Sequence, residues 1–594
     1  MSMGTVGFGE FFEAVTGHQP YVWQSRAAAA LVAGVPVGTI AAPTGMGKTS
    51  LVLAWVWALA RDLDRQAIEG GPRRVALRYV SVIDRRVVVD ATADLARGLA
   101  EMFTTALASP AAVPEPVVEV ARVLNRLAPD AAGPLEVRVL RGGMDSRPEG
   151  PRHPAAATVL VGTIDLVGSR LLWRGYGVSR GRRPIDAAMV GADSLIVLDE
   201  AHLAAQFHTT LAVLDRQTAA EPGLAGIPAR QLVTMTATPE DPADVFDWAA
   251  EIERNPAVAT RQHHRRAMTV ELASSTGKAE TAMKDWLKKT ALERQCIVCF
   301  FNTATAARDA AKILTARKDL DGRAVLLLVG GMPDLARTQA MDALAPYLSG
   351  ASPQQRATAT PVVICATQTL EVGADLDADM LITPIASVAA LTQRLGRVNR
   401  IGARPDGHIL LFAGTDPDPV YSDAHTIAAA LTRHHPATAG DLTDQLTALP
   451  TTGTGVTAVL PRHVFDAYLA TAGSPNEPDV GRWLRTPQDE RTQLQVVFRE
   501  SVRDLTDDQT LCDHLLRWPP RPEEIWTIAG NGQDLVWPSA TKTLRAVVID
   551  TADSRPPRVL THRPHPRPGE VYVLAPAPAE KMGMPGFELV KLSV

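Results

Sequence analysis

Residues 42–49 read Ala-Pro-Thr-Gly-Met-Gly-Lys-Thr, which places a lysine and a hydroxyl group directly after two glycines. Glycines let backbone N–H groups turn toward a phosphate chain, and the first turn of a following helix adds positive potential. An apolar run precedes this segment and the apolar run 51–60 follows it, as a strand–loop–helix arrangement requires. We expect Lys48 to reach the β- and γ-phosphates of ATP and the Thr49 hydroxyl to ligate Mg²⁺.

An acidic pair follows the apolar run 194–198, which reads Ser-Leu-Ile-Val-Leu. At the end of that strand Asp199 can hold the magnesium ion, directly or through water, and Glu200 can orient and deprotonate the attacking water. We expect His202 to sense the γ-phosphate. The predicted metal site therefore consists of Thr49, Asp199 and Glu200.

A cationic segment at residues 393–400 reads Gln-Arg-Leu-Gly-Arg-Val-Asn-Arg. ATP on a phosphate loop lacks a cation to stabilise the γ-phosphoryl group during transfer. Arg397 and Arg400, predicted to lie one helical turn apart on one helix face, can supply that charge. The catalytic candidates are Glu200, His202, Gln393, Arg397 and Arg400.

Short apolar strands separated by helix-like stretches must position these groups. Such runs are typical of a parallel sheet covered by helices on both faces. The strands predicted in the first block are 37–41, 79–83, 137–140, 158–161, 195–198 and 232–235. Those predicted in the second block are 297–301, 324–329, 362–366, 381–385 and 409–413. We therefore predict an α/β protein with two tandem RecA-like domains, parallel sheets and a cleft between the domains.

The predicted boundaries follow these blocks. Domain 1 covers 1–240, with an adenine-recognition segment at 1–34, and a linker covers 241–290. Domain 2 covers 291–415 and carries the arginine motif. Residues 416–594 form a C-terminal mixed α/β accessory region, helical first and then β-containing. A basic patch at 261–266 is interpreted as a solvated surface of the linker.

The composition indicates a packed, soluble protein without a membrane-spanning segment. Hydrophobic residues make up 46% and charged residues 21% of 594 residues, which argues against disorder. The net charge of −5 offers no global basic field, so nucleic acid would need a local groove. The four cysteines suit a reducing cytoplasm. Cys296 and Cys299 lie in an apolar run, which predicts a buried strand rather than a metal site.

Several motifs occur together in an order that resembles helicase superfamily 2. Residues 199–202 spell the DEAH box, and residues 236–239 (Thr-Ala-Thr-Pro) follow the next strand. Gln24 lies upstream of the phosphate loop, where the adenine-reading glutamine usually sits. Residues 367–375 and 393–400 match the last two motifs. The resemblance implies that Thr236 and Thr238 couple hydrolysis to unwinding.

Within that superfamily the chain resembles the CRISPR type I helicase–nuclease. The resemblance lies in residues 161–165, in 169–177 and in 370–377 leading into the arginine motif. The entry at 11–24 and residues 494–499 look most like the subtype called U or G.

The resemblance implies a single-stranded DNA translocase with 3′-to-5′ movement, recruited by a CRISPR surveillance complex. Arg85, or the adjacent Arg86, would contact DNA phosphates, as would Thr163, Asn302 and Thr367. The nucleotide-binding residues implied by pattern and resemblance are Gln24, Thr44, Gly45, Met46, Gly47, Lys48, Thr49, Ser50, Gly373 and Asp375.

One family feature is missing from the sequence. The family's HD nuclease needs a His-Asp dipeptide, and none occurs in these 594 residues. We therefore expect no intrinsic nuclease activity, with a separate HD nuclease as a candidate partner. We also expect a monomeric protein in the cytoplasm.

Other functions remain open at this point. The same motor could serve DNA repair or restriction, or act on RNA. A non-enzymatic alternative is an ATP-gated nucleic-acid clamp, although the catalytic set from Lys48 to Arg400 is complete.

Overall fold

The structure is a computed structural model of the chain, and it describes the following segments. These are residues 6–43, 45–83, 86–140, 153–176, 178–201, 204–219, 226–236, 246–320, 322–330, 332, 334–371, 375–449, 457–470, 479–486, 493–502, 504–505, 507–521, 524–529, 546–550, 556–560 and 570–574. The chain divides into two compact units. Unit 1 contains residues 1–142, 146–259 and 453–490, and unit 2 contains 143–145, 260–452 and 491–594.

Unit 1 is built on a parallel sheet that, in the described segments, has the strand order β1-β6-β5-β2-β4-β3. The strands are β1 (Gly38–Ile40), β2 (Arg78–Ile83), β3 (Leu135–Leu140), β4 (Ala157–Thr163), β5 (Ser194–Asp199) and β6 (Gln231–Met235). Its helices are α1 (Phe8–Thr16), α2 (Val22–Ala33), α3 (Leu51–Glu69), α4 (Arg86–Ala108), α5 (Glu115–Asn125), α6 (Ile164–Leu171), α7 (Arg183–Gly191), α8 (Ala205–Ala219) and α9 (Trp248–Arg254). The central strands β2 and β4 are buried along their whole length, because helices cover both faces of a parallel sheet.

Unit 2 repeats this architecture with the strand order β7-β12-β11-β8-β10-β9. The helix α10 (Pro256–Arg266) leads into it. The strands are β7 (Thr269–Ser275), β8 (Cys296–Phe300), β9 (Ala324–Leu328), β10 (Val362–Ala366), β11 (Met380–Pro384) and β12 (His408–Gly414). The helices are α11 (Ala279–Lys289), α12 (Ala304–Thr315), α13 (Asp334–Leu344), α14 (Pro353–Thr358), α15 (Val388–Leu395), α16 (Ala424–Arg433) and α17 (Ala439–Ala448).

The predicted fold class is confirmed, and every predicted strand is present with ends that differ by no more than about two residues. Cys296 and Cys299 lie in β8, as buried as the strand around them. Strand β7 escaped sequence analysis. It lies inside the predicted linker and pairs along its length with β12, but as an edge strand it is only partly buried and has no continuous apolar run.

Two further helices return to unit 1 from the C-terminal third of the chain. Helix α18 (Arg462–Leu469) and the short helix α19 (Gly481–Leu484) contribute Tyr468, Trp483 and Leu484 to the same apolar core as Phe207 on α8. Nothing in the sequence indicated this return, because apolar residues on a short helix do not specify which distant helix they will pack against.

The remaining described residues of unit 2 form a mixed sheet. Its strands are β13 (Gln493–Phe498), β14 (Trp526–Ala529), β15 (Ala546–Asp550), β16 (Arg558–Val559) and β17 (Glu570–Leu574), with helix α20 (Asp508–Arg517) beside them. The strand order is β14-β13-β17-β15-β16, and β13 and β17 run parallel while the other pairs run antiparallel. Among the described helices, none combines the length and the apolar character needed to cross a bilayer.

Candidate nucleotide site

The phosphate loop connects β1 to α3 and requires glycine at two positions. Gly45 and Gly47 have φ angles of 84° and 70°, which lie in the left-handed region that other residues rarely adopt. A Cβ atom on Gly47 would also lie 2.7 Å from Nε2 of Gln24. The loop therefore combines backbone freedom with a close approach of the preceding helix.

The start of α2 holds this loop from one side. Nε1 of Trp23 donates to the Met46 carbonyl at 2.9 Å. Nε2 of Gln24 donates to the Ser50 hydroxyl at 2.7 Å and to the Gly47 carbonyl at 3.1 Å. Oε1 of Gln24 accepts from the Tyr21 N–H at 2.8 Å, and Gln24 is buried. Its amide is thus engaged with the loop, and adenine reading by this residue stays a prediction.

The start of α2 is itself fixed by a residue that sequence reasoning missed. The carboxylate of Glu251, on α9, accepts the backbone N–H groups of Val22 and Trp23 at 2.9 and 2.8 Å, and it is 1% exposed. A carboxylate at a helix N-terminus satisfies free N–H groups and favours the helix dipole. Glu251 lies 229 positions from Val22, so no local sequence signal points to it.

Lys48 and Glu200 meet at the carboxyl end of this sheet. Strand β6 pairs with both β1 and β5, so the loops after β1 and β5 lie at the same sheet edge. Nζ of Lys48 lies 2.8 Å from Oε1 of Glu200, and the two side chains are 10% and 7% exposed. The structure therefore brings the predicted phosphate-binding lysine and the predicted general base into direct contact.

Asp199 is half-buried beside this pair. Burial raises the pKa of its carboxyl to about 6, the Lys48 ammonium opposes this rise, and the Glu200 charge adds to it. Oδ1 of Asp199 accepts the Glu200 N–H at 3.0 Å. Glu200 itself has a φ angle of 48°, a strained left-handed conformation that is frequent at functional sites.

These residues fit a magnesium–nucleotide complex. Mg²⁺ prefers oxygen ligands and is usually held by one or two protein groups together with phosphates and water. The Asp199 carboxylate and the exposed Thr49 hydroxyl are such ligands. Within the described segments no group of three or more His, Cys, Asp or Glu side chains forms a self-sufficient metal site, so the phosphates would complete the coordination.

The other predicted residues of unit 1 lie at strand ends. The Thr236 N–H, directly after β6, donates to the Ile40 carbonyl at 3.1 Å. Thr163 ends β4, precedes α6 and is 8% exposed.

Five predicted residues lie outside the described segments: Thr44, Arg85, His202, Thr238 and Gly373.

In unit 2 a fully buried arginine joins the predicted motifs. Arg394, on α15, contacts Oε1 of Glu371 at 2.8 Å and donates to Oδ1 of Asn302 at 2.9 Å. Nδ2 of Asn302 donates to the Ile385 carbonyl at 3.0 Å and to Asp418 at 2.8 Å. Asn302 is thus engaged inside unit 2, and its DNA contact stays a prediction. Thr367 follows β10 and is 5% exposed.

The expectation that Arg397 and Arg400 lie one helical turn apart on a helix is wrong. Helix α15 ends at Leu395, and the following turn includes Asn399 with a φ of 44°. Val398 forms a bridge with Ala378, which ties this turn to the segment before β11. A glycine at 396 and an asparagine at 399 suit such a turn better than a helix.

Both motif arginines are held by the neighbouring motif. Nε of Arg397 donates to the Glu371 carbonyl at 3.1 Å, and Nε of Arg400 lies 2.6 Å from Oδ1 of Asp375. Burial lowers the pKa of Arg400, and the Asp375 charge opposes that shift. Gln393 lies on α15 and is 3% exposed.

A family model and a solved structure are similar to this chain. Residues 293–403, which include Asn302, Thr367 and the arginine motif, match the family model described as CRISPR-associated nuclease/helicase Cas3, C-terminal. The structure of T. fusca Cas3 with ATP matches with a TM-score of 0.53 at 16% sequence identity, over 90% of this chain and 67% of that chain. The chain has the fold of the Cas3 helicase.

Other structures of T. fusca Cas3 give similar scores. T. fusca Cas3 with ADP matches with a TM-score of 0.53 at 16% identity, over 90% of this chain and 67% of that chain. T. fusca Cas3 without a named nucleotide gives 0.52 at 16% identity, over 89% and 66%. The chain thus spans about two thirds of Cas3. No curated protein matches its sequence. The predicted resemblance to a superfamily 2 helicase, most like the helicase portion of Cas3, is confirmed.

Proposed function

We propose that this chain is an ATP-dependent translocase that moves 3′-to-5′ along single-stranded DNA in a type I CRISPR interference system. The contact of 2.8 Å between Lys48 and Glu200 carries the proposal, because it joins the phosphate loop to the DEAH carboxylate at one sheet edge. The fold likeness to Cas3, which was solved with ATP, supports the same assignment.

The Lys48–Glu200 pair suggests how the nucleotide would start the reaction. A γ-phosphate carries more negative charge than a carboxylate and would draw the Lys48 ammonium away from Glu200. Glu200 would then accept a proton from the attacking water. Thr49 and Asp199 would hold Mg²⁺, which when bound neutralises charge on the β- and γ-phosphate oxygens.

The arginine motif would supply the remaining positive charge. Arg397 and Arg400 now contact the Glu371 carbonyl and Asp375, so each would exchange a protein acceptor for a phosphate oxygen. Gln393 and His202 would report the state of the γ-phosphate, and Gln24, Gly373 and Asp375 would contribute to nucleotide binding.

Each unit contains residues that are predicted to contact DNA. Thr163 ends β4 and Thr367 follows β10, each at the carboxyl end of its sheet, where backbone N–H groups and hydroxyls can bind phosphates. Arg85 would add a positive charge, and Thr236 and Thr238 would couple hydrolysis to movement. Asn302 would contact DNA, and it would also hold the buried hydrogen-bond network around Arg394.

The proposed partners follow from the resemblance. A CRISPR surveillance complex would present the opened target strand, and a separate HD nuclease would cut it. The 594 residues contain no His-Asp dipeptide, which supports the absence of an HD site in this chain. We further propose that the protein acts as a monomer in the cytoplasm.

ATP hydrolysis by the purified chain tests the motor directly. Turnover should rise when single-stranded DNA is added and rise less with RNA of the same sequence. Glu200→Gln should lower turnover by roughly 10²- to 10⁴-fold, because the general base is lost, while binding of a fluorescent ATP analogue persists. Turnover in Glu200→Gln equal to wild type would refute the assignment of Glu200.

Other outcomes separate the remaining alternatives. ATP binding without hydrolysis, with or without either polymer, would favour a gated clamp. Displacement of a labelled strand only from duplexes with a 3′ overhang would support the proposed direction, and displacement from 5′ overhangs would reverse it. Metal-dependent cutting of single-stranded DNA by the purified chain would overturn the proposed lack of a nuclease.

A further inference from the structure

An exposed tryptophan follows helix α20 in the C-terminal part of unit 2. Trp518 is 60% exposed, and Leu516, two positions before it, is 59% exposed. The Trp518 indole neither stacks on another ring nor donates a hydrogen bond within the described part of the chain. An indole offers a large, rigid apolar face and often carries much of the binding energy once a partner covers it. The fold therefore leaves a strong contact group uncovered.

The backbone that carries this indole is held by Arg499, directly after β13. The Arg499 guanidinium donates to the Trp518 carbonyl and, at 2.9 Å, to the Pro519 carbonyl. The Glu524 carboxylate lies 2.6 Å from the same guanidinium and accepts the Arg521 N–H at 2.7 Å. These contacts order the loop without covering the indole. An ordered loop has less conformational entropy to lose on binding, so this loop is preorganised for a ligand.

Two arginines flank the indole in the sequence. Arg517 and Arg521 are exposed, and neither guanidinium forms an ion pair with a described residue. Residues 514–521 read His-Leu-Leu-Arg-Trp-Pro-Pro-Arg and contain no Asp or Glu. The Glu524 carboxylate, three positions further along, is already paired with Arg499. The loop therefore carries positive charge before and after the aromatic ring, and this charge attracts anions.

We propose that Trp518 is a stacking platform for one base of single-stranded DNA, with Arg517 and Arg521 contacting the phosphates next to that base. Proteins bind single strands without reading their sequence through open aromatic faces combined with cationic groups. A duplex keeps its bases stacked on one another and would offer the indole no free face. A single strand supplies a flat ring and a negative charge in each nucleotide, which matches the alternation of arginine and tryptophan in this loop.

The platform lies outside the residues predicted to bind ATP or to contact DNA. Because it contains no group of the nucleotide site, it should bind DNA in the absence of ATP. A second contact on the same strand raises the effective concentration of DNA at the motor while no nucleotide is bound. The choice of DNA as the ligand rests on the proposed function, whereas the exposed ring and the two arginines are observed independently of it.

Photo-cross-linking locates the contact directly. Oligothymidylate that carries 5-iodouracil should cross-link to the full wild-type chain under ultraviolet light without ATP, because iodouracil reacts with an aromatic ring that stacks on it. Mass spectrometry of the digested product should find the cross-link in the peptide that contains Trp518. Trp518→Leu, which keeps an apolar side chain and loses the π-face, should abolish this cross-link.

Affinity measurements separate stacking from simple apolar contact. Fluorescence anisotropy of labelled oligothymidylate should give a Kd about tenfold higher for Trp518→Ala and for Trp518→Leu than for the wild type, because stacking of a base is lost. Trp518→Phe keeps a ring and should raise the Kd by about threefold or less. These variants should all unfold at the wild-type temperature, because the indole is mostly exposed.

The salt dependence of the Kd tests the two arginines. Each phosphate contact to a single strand contributes about 0.7 to the slope of log Kd against log salt concentration. Arg517→Gln and Arg521→Gln should each lower that slope by about this amount, and Trp518→Ala should leave it nearly unchanged. Arg433→Gln is the matched control, because Arg433 on α16 is also exposed and forms no ion pair with a described residue. This variant should change neither the Kd nor the slope.

Three results would overturn the platform. These are a Kd for oligothymidylate that Trp518→Ala leaves unchanged, a cross-link to other peptides with none at Trp518, and a larger effect of Trp518→Ala on oligouridylate than on oligothymidylate. The first two would leave the exposed indole as a contact for a protein partner.

The platform and the proposed motor fail separately. DNA-stimulated ATP hydrolysis together with an unchanged Kd in Trp518→Ala would reject only the platform. A cross-link at Trp518 in a chain that does not hydrolyse ATP would reject only the motor.

Discussion

Both the nitrogen and the oxygen of the Gln24 side-chain amide form hydrogen bonds within unit 1. Its Nε2 group donates to Ser50 and Gly47, and its Oε1 atom accepts from the Tyr21 backbone. An amide can read adenine only through groups that the protein leaves available. The contacts in this structure therefore favour a role in holding the phosphate loop.

Kinetics of Gln24→Ala can separate the two roles. If Gln24 holds the loop, the KM values for ATP and GTP should both rise, each by about tenfold, because two hydrogen bonds to the loop are lost. Hydrolysis rates measured with each nucleotide give this comparison. A rise in KM for ATP alone, with GTP unaffected, would instead support adenine reading.

Arg394 has no exposure to solvent and connects three predicted motifs. Its guanidinium contacts Glu371 and Asn302 and donates to the Thr383 hydroxyl at 2.7 Å. Removing one partner of a buried ion pair leaves the other charge uncompensated. Its role is therefore to keep these motifs in register.

Arg394→Ala should strongly destabilise unit 2. The unpaired Glu371 carboxylate should cost about 3–5 kcal/mol of unfolding free energy. Denaturant unfolding followed by circular dichroism measures this loss. Arg433→Ala, at an exposed arginine of α16, is the control and should stay within about 0.5 kcal/mol of wild type. Similar stability of both variants would contradict a structural role for the Arg394 network.

The helices α6 and α8 directly follow Thr163 and the DEAH segment. Both are covered by the returning segment, which consists of residues 457–470 and 479–486. The Thr210 hydroxyl donates to the Trp483 carbonyl at 2.6 Å, and Nε2 of Gln206 donates to the Ala458 carbonyl at 2.8 Å. Arg485 makes a two-fold contact with Asp165, with both distances 2.8 Å. This segment is thus an integral layer of unit 1.

Trp483→Ala should loosen α6 and α8. Truncation of a buried tryptophan costs about 3–5 kcal/mol, so amide hydrogens of these two helices should exchange at least about a hundredfold faster. Hydrogen–deuterium exchange with mass spectrometry measures this change. Arg462→Ala breaks an exposed pair with Asp466 at 2.8 Å and should leave exchange unaltered. Unchanged exchange in Trp483→Ala would show that the segment is dispensable.

Each unit of the whole molecule is assembled from distant parts of the chain. Unit 1 needs 453–490, which lie beyond most of unit 2 in sequence. Without that segment the apolar side chains of α6 and α8, such as Phe207 and Leu211, would lose their cover. Exposed apolar surface of this kind promotes association.

A fragment of residues 1–259 should therefore self-associate. The same fragment co-expressed with residues 453–490 should be monomeric, because the returning helices restore the apolar layer. Size-exclusion chromatography with light scattering compares the two preparations. A lone fragment that stays monomeric would show that the returning segment contributes little to the fold of unit 1.

Local patterns determined most of the fold and part of the site. Apolar runs bounded by turn residues were enough to predict every strand of the two parallel sheets except the edge strand β7, because burial on both faces leaves a continuous signal. The phosphate loop and the acidic pair were legible for a similar reason, since their chemistry depends on neighbouring residues such as Gly47 and Lys48 or Asp199 and Glu200.

Only the tertiary structure decided which distant residues meet. Glu251 caps α2, β7 joins the second sheet, and residues 457–470 and 479–486 return to unit 1. These contacts join residues that are far apart in sequence, so no local period or spacing encodes them. The prediction of a helix after Leu395 was wrong for a related reason. Its bridge between Val398 and Ala378 and its positive φ at Asn399 replace the helix that local spacing predicts.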